Sequence, residues 1–152
     1  MLEQLFADIP AAQARMSRLM AEEGLPFGPR SMTYNSRLAQ ELGKWAETQP
    51  GGVKIHDALF RAYFVENVNL ARIDNLAVIA EQVGLSKQEA QKVLEERPFR
   101  VTVDSDWQRS RELGIRGVPT FVLGDQELAG AQPYAQLADF VSSAGALRRE
   151  AN

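Results

Sequence analysis

The side chains able to do chemistry are few and scattered. His56 is the only histidine, beside Asp57 on a helical stretch. A catalytic or metal-binding role needs converging partners, and there is neither a second histidine nor any cysteine, so His56 reads as a surface or half-buried residue. Asp104-Ser105-Asp106 could suggest a cation site; equally, acids in a first helical turn are favoured by the helix dipole. Trp45, Trp107 and Tyr63-Phe64 fit core stripes, with ligand stacking as the alternative. Arg97-Pro98-Phe99-Arg100 reads as a helix stop with solvated ends, and Arg148-Arg149 as a tail. Val118-Pro119, taken alone, reads as an ordinary trans turn, because only about 5–6% of X–Pro bonds in folded proteins are cis. The absence of cysteine removes thiolate nucleophiles, disulfide frameworks and zinc–thiolate sites together. No catalytic residue, metal or cofactor is expected.

The composition narrows the class further. A chain of 152 residues suits a single domain, 1–152, and can bury a core without a disulfide or metal staple. Lys and Arg number 17 against 20 acids, a net charge of −3, so there is no basic excess to meet a phosphate backbone and nucleic acid is not expected as a partner. The opening Met1-Leu2-Glu3-Gln4-Leu5-Phe6 lacks the basic start and apolar run of a signal peptide. No apolar stretch approaches the roughly 18 residues of a membrane span. A cytoplasmic protein without membrane contact is the expectation.

These residues must be positioned by short amphipathic helices over about 8–113. Ala12, Met16, Leu19 and Met20 recur at helical spacing after Pro10, and Gly24 stops that helix. Asn35 caps a second, with Leu38, Leu42 and Trp45 on one face. A third carries Ile55, Leu59, Ala62 and Tyr63 inward. Asp74 caps a fourth, with Leu76, Ile79, Ala80 and Val83 inward and Gly84 at its end. Ser86 and Glu89 form a capping box for a fifth, whose buried face is Ala90, Val93 and Leu94. A sixth places Asp104 or Ser105 in its first turn, with Val103, Trp107 and Ser110 on one side, and runs to Gly114. The pattern then changes: Thr120-Phe121-Val122-Leu123 is β-prone, Gly124-Asp125-Gln126 turn-like, and Glu127-Leu128-Ala129 returns as a strand. A last helix starts with Pro133 and buries Tyr134, Leu137, Phe140 and Val141.

The segment Gly114-Ile115-Arg116-Gly117-Val118-Pro119-Thr120-Phe121-Val122, followed by Gly130-Ala131-Gln132-Pro133, resembles the C-terminal half of a DsbA-like thioredoxin fold. Within that superfamily the chain is most similar to the FrnE-like branch, also called dithiol-disulfide isomerase. Asn35-Ser36-Arg37-Leu38-Ala39 resembles that branch's N-T-x-x-A-H helix start, although Gln40 stands where the histidine would be. Asp57 to Phe64 and Leu76 to Leu85 are similar to its helical insertion. The resemblance runs from about residue 8 to residue 141. It implies an α+β fold, mainly helical, with an incomplete thioredoxin-like half over 115–141. The family's first strand, its C-P-x-C helix and its second strand are not found in this sequence.

The resemblance also implies a function and its limit. In the family a helix N-terminal thiolate attacks a substrate disulfide, opposite a cis Val-Pro peptide; here that loop would be Val118, Pro119 and Thr120. Its backbone would remain able to pair with an extended peptide, while the attacking half would be missing. The expected function is that of a DsbA/FrnE-like protein without redox cysteines, binding a peptide or protein partner, or oligomerising, at this loop and strand. Without its outer neighbour, the apolar edge Thr120–Leu123 would lie open, and open edges pair or are covered; a homo-oligomer, or a helix over the edge, is therefore expected. The alternative implied by the same resemblance is a glutathione-dependent protein like the 2-hydroxychromene-2-carboxylate isomerases or kappa-class glutathione transferases.

Overall fold

The computed structural model describes residues 9–29 and 32–146. The opening Met1–Phe6 and the Arg148-Arg149 tail lie outside them. In chain order the elements are α1 (Ile9–Glu22), α2 (Arg37–Ala46), a 3-10 turn (Gly52–Lys54), α3 (Ile55–Phe64), α4 (Ile73–Gln82), α5 (Lys87–Glu96), α6 (Arg100–Glu112), β1 (Thr120–Leu123), β2 (Gln126–Ala129) and α7 (Tyr134–Ser143). The architecture is mainly helical with one two-stranded antiparallel sheet among the described residues. None of the described helices is long and apolar enough to cross a membrane. The chain divides into two compact units, one ending at Asp104 and the other starting at Ser105, so the division falls inside α6.

The first unit holds a continuous apolar core. Leu42, Trp45 and Ala46 of α2 join Ile55, Leu59 and Ala62 of α3, Leu76, Ile79 and Ala80 of α4, and Ala90 and Leu94 of α5. These are the faces that the 3.6-residue periodicity marks as apolar, so burial rather than intrinsic propensity fixes helices only ten residues long. Local chemistry sets the ends. Asn35 Oδ1 accepts from the Arg37 N–H at 2.8 Å, an Asx turn that feeds α2, although Ser36 occupies the N-cap position. Ser86 Oγ accepts from the Glu89 N–H at 3.3 Å at the start of α5. At Gly52 a Cβ would collide with the Ala46 carbonyl oxygen, which fixes the tight return from α2 to α3.

Four local expectations are corrected. Asp74 lies in the first turn of α4 rather than capping it; Arg72 is the N-cap. Helix α6 begins at Arg100, a turn earlier than the acids suggest, because Arg97 adopts the left-handed conformation at the end of α5 (φ +55°) and Pro98-Phe99 make only a two-residue turn. Of the expected stripe on α6, Val103 is buried but Trp107 is 47% exposed. The stripe on α1 stays largely uncovered, with Met16 and Leu19 exposed and Met20 half-buried, since α2–α5 close the core without it.

The second unit is built differently. β1 and β2 pair in the register Thr120↔Ala129, Phe121↔Leu128, Val122↔Glu127 and Leu123↔Gln126. The loop is the two residues Gly124-Asp125, and Gly124 supplies the positive φ (+60°) that a tight hairpin of this twist needs at its first central position. Pro133 is the N-cap of α7, one position before the expected place. No residue of 105–146 is buried. The face of α7 that should be covered leaves Tyr134 and Val141 exposed and Leu137 and Phe140 half-buried.

Candidate functional site

The loop before β1 is held by its own backbone and by β2. The Val118–Pro119 peptide is cis. Thr120 Oγ1 donates to the Gly117 carbonyl at 2.7 Å, closing the loop on itself. The Gly130 N–H donates to the Pro119 carbonyl at 2.8 Å, extending the β ladder one pair beyond the hairpin. Gln132 Nε2 donates to the Ala129 carbonyl at 2.7 Å and pins the end of β2. Val118 is left 93% exposed at the tip.

The register then decides which backbone groups are available. Antiparallel pairs alternate between bonded and non-bonded positions. Since Gly130 bonds Pro119, the bonded pairs are 119·130, 121·128 and 123·126. Thr120 and Val122 therefore direct their N–H and C=O groups to the opposite edge of β1, where no strand pairs among the described residues. The site is thus a short row of backbone donors and acceptors on an uncharged strand, with Val118 and Phe121 offering apolar contact beside it. A shallow cleft of about 490 Å³ at the hairpin turn, lined by Leu123–Gln126 and Ala144–Ala146, brings no converging polar groups.

His56 Nε2 lies 3.2 Å from Glu47 Oε1 at the surface. No group of three or more potential ligands for a metal occurs among the described residues. Asp104 instead accepts from Arg37 Nη2 at 2.6 Å.

That contact belongs to a network missed by sequence reasoning, in which Arg97 was read as a solvated helix end. Glu41, 1% exposed, accepts from Arg37 Nε at 2.9 Å and from Arg97 Nη2 at 2.7 Å and Nε at 3.1 Å. Arg37 Nη2 also donates to the Arg100 carbonyl at 2.9 Å. The Arg97 hydrogen bond outweighs burial and, with Arg37, holds the Glu41 carboxyl below its usual range. Glu41 and Asp104 raise Arg37 in turn. The network ties α2 to the turn between α5 and α6. Its one visible signal was the i, i+4 spacing of Arg37 and Glu41.

Three comparisons bear on this arrangement. Residues 5–142 match the model of the DSBA-like thioredoxin domain. The chain is 34% identical over 100 residues to the uncharacterised protein YwbO of Bacillus subtilis (strain 168), covering 62% of this chain and 48% of YwbO. It thus spans about half the length of that relative. The solved structure of a 2-hydroxychromene-2-carboxylate isomerase superposes with a TM-score of 0.76 at 20% identity, covering 93% of this chain and 68% of that one.

Proposed function

The chain belongs to the DSBA-like thioredoxin domain family, and from that premise we propose that it acts as a cysteine-free binding module of this disulfide-oxidoreductase fold. It takes up an extended polypeptide segment by strand addition at the outer edge of β1. Thr120 and Val122 supply the main-chain hydrogen bonds, and Val118 and Pro119 at the loop supply apolar contact. Main-chain pairing gives affinity in such recognition and alternate side chains give selectivity. The observation that carries the reading is the outward direction of the Thr120 and Val122 backbone groups on a strand without charge. Thiol–disulfide exchange requires a thiolate, and this sequence contains no cysteine to form one.

The test is selection of random octapeptides against the chain, followed by affinity measurement on Val122→Pro. That substitution removes an outward N–H and leaves every bond to β2 in place. Selected peptides are expected to lose roughly tenfold or more in affinity, and to slow amide exchange at Thr120 and Val122 on binding. Peptides that bind Val122→Pro as tightly as the parent chain, or turnover in a disulfide-reduction assay by this chain alone, overturn the reading.

A second reading is favoured by the TM-score of 0.76 to the 2-hydroxychromene-2-carboxylate isomerase structure: a glutathione-dependent isomerase- or transferase-like protein. It makes a separate prediction. Saturable micromolar binding in a calorimetric glutathione titration supports it, and a flat titration removes it.

A further inference from the structure

We infer that the charged cluster around Glu41 is a latch, and that residues 97–104, the α5–α6 turn with the start of α6, open from α2 as one piece while the apolar core stays closed. The core closes without this segment. The cluster formed by α2 to α5 ends at Leu94; Val103, although 1% exposed, lies outside it, and Phe99 only borders it. Pro98, Arg100, Val101 and Thr102 are exposed. Polar contacts therefore carry much of the attachment, and each of them reaches back to α2. Arg97 donates to the Glu41 carboxylate through Nη2 at 2.7 Å and Nε at 3.1 Å. The Arg100 carbonyl and Asp104 Oδ1 both accept from Arg37 Nη2, at 2.9 and 2.6 Å. Arg37 and Glu41 sit one turn apart on α2 and are themselves joined at 2.9 Å, so a single helix presents both jaws. A contiguous segment with few buried apolar contacts is the kind of unit that opens sub-globally.

The latch has an inner and an outer rung. The Glu41 side chain is 1% exposed, whereas that of Asp104 is 53% exposed. Salt screens exposed charges and reaches buried ones much less, so the outer rung, Arg37–Asp104, yields to ionic strength and the inner one does not. Arg100 Nε, 3.9 Å from Asp104 Oδ2, belongs to the outer rung. Three guanidinium groups thus meet two carboxylates. Glu41 is the counter-charge that Arg37 and Arg97 share, and without it the two cations face each other across the gap. The backbone of Arg97 adds a bias toward opening. It is a non-glycine residue at φ +55°, a conformation that costs free energy and persists where neighbours enforce it. Its two bonds to Glu41 are what enforce it here.

Amide hydrogen exchange of the full chain, followed by NMR, reads the opening. The Val103 N–H donates to the Phe99 carbonyl at 3.2 Å, and the helical pattern pairs the Asp104 N–H with the Arg100 carbonyl. Both are freed when the segment opens. In the parent chain they are expected to exchange roughly tenfold or more faster than the amides of Ile79 and Ala80 in α4, at rates that low urea leaves unchanged, as a local opening requires. Asp104→Asn removes the outer rung and is expected to speed them roughly threefold. Raising NaCl from about 50 mM to about 0.5 M is expected to do the same to the parent chain and nothing to Asp104→Asn. Glu41→Gln is expected to speed them roughly thirtyfold or more. Val103 and Asp104 amides that exchange at the rate and with the urea dependence of Ile79 and Ala80 overturn the separate opening. A parent chain without a salt response, or a salt response that survives in Asp104→Asn, overturns the two rungs. Parent-level protection in Glu41→Gln overturns the latch itself. Should Glu41→Gln fail to fold, the urea dependence, the salt series and Asp104→Asn still decide.

Discussion

The two units of the chain spend similar apolar residues to different effect. In the helical unit Leu42, Ile55, Leu76 and Leu94 are fully buried, and each contributes its side chain to one continuous cluster. In the unit from Ser105 onward, Phe121, Val122, Tyr134 and Val141 are exposed and no described residue is buried. Composition does not explain the contrast, since Thr-Phe-Val-Leu is as apolar as any helical face here. What differs is the material available to cover it. Four helices can enclose a core among themselves, whereas a hairpin, α7 and the last eight residues of α6 do not. The buried apolar residues therefore lie in the first unit, and the exposed β1 edge and α7 face in the second.

The largest expected effect tests the first half of that comparison. Leu76 is 0% exposed, with Ile79 and Ala80 of its own helix in the same cluster. Leu76→Ala should cost about 3–4 kcal/mol from lost transfer energy and the cavity left behind, read as a shift in the urea midpoint. A cost under about 1 kcal/mol would mean that the helical cluster collapses freely around the gap and is no better packed than the hairpin.

Next in size is the ion network. Glu41→Gln keeps the shape of the side chain but leaves Arg37 and Arg97 without their buried counter-charge, and should cost about 2–3 kcal/mol near neutral pH. The pH dependence follows from the direction of the shift. The Glu41 carboxyl is held below its usual range in the folded chain by Arg97 and Arg37. Its contribution is therefore complete above the unfolded carboxylate pKa, about 4.3, and is lost as pH falls through the lower folded value. The melting difference between the parent chain and Glu41→Gln should be constant from pH 7 to about pH 5 and shrink only in more acid solution. A difference that is already gone at pH 6 would show that the carboxylate is not what holds α2 to the α5–α6 turn.

The same contrast explains what could be read in the sequence. The faces of α2 to α5 were legible because each buries one side, and burial imprints a 3.6-residue period that Leu42, Leu59, Ile79 and Leu94 display. The hairpin was legible from its β-prone run and glycine turn. The faces of α1 and α7 look as amphipathic as the others, yet neither is covered, because periodicity reports what a helix could bury and not whether a neighbour arrives. The start of α6 was misplaced because Arg97, a non-glycine residue at positive φ, carries no local signature. The network around Glu41 stayed hidden because its members are up to 67 positions apart and meet only when α2, Arg97 and α6 are assembled.

The smallest expected effect is the one that most sharply tests the second half of the comparison. Val141 lies on the apolar face of α7 and is 42% exposed, with no buried residue anywhere on that helix. If the second unit leaves this face open, Val141→Ser removes little buried surface and should change stability by only about 0.5 kcal/mol, independent of protein concentration. The matched substitution on a covered helix, Val103→Ser at a residue only 1% exposed, should cost several times more, about 2 kcal/mol, since it adds a hydroxyl to a buried site as well as deleting methyl surface. Equal costs for the two would mean that α7 is covered in solution. A cost at Val141 that grows with concentration would identify a second chain as the cover.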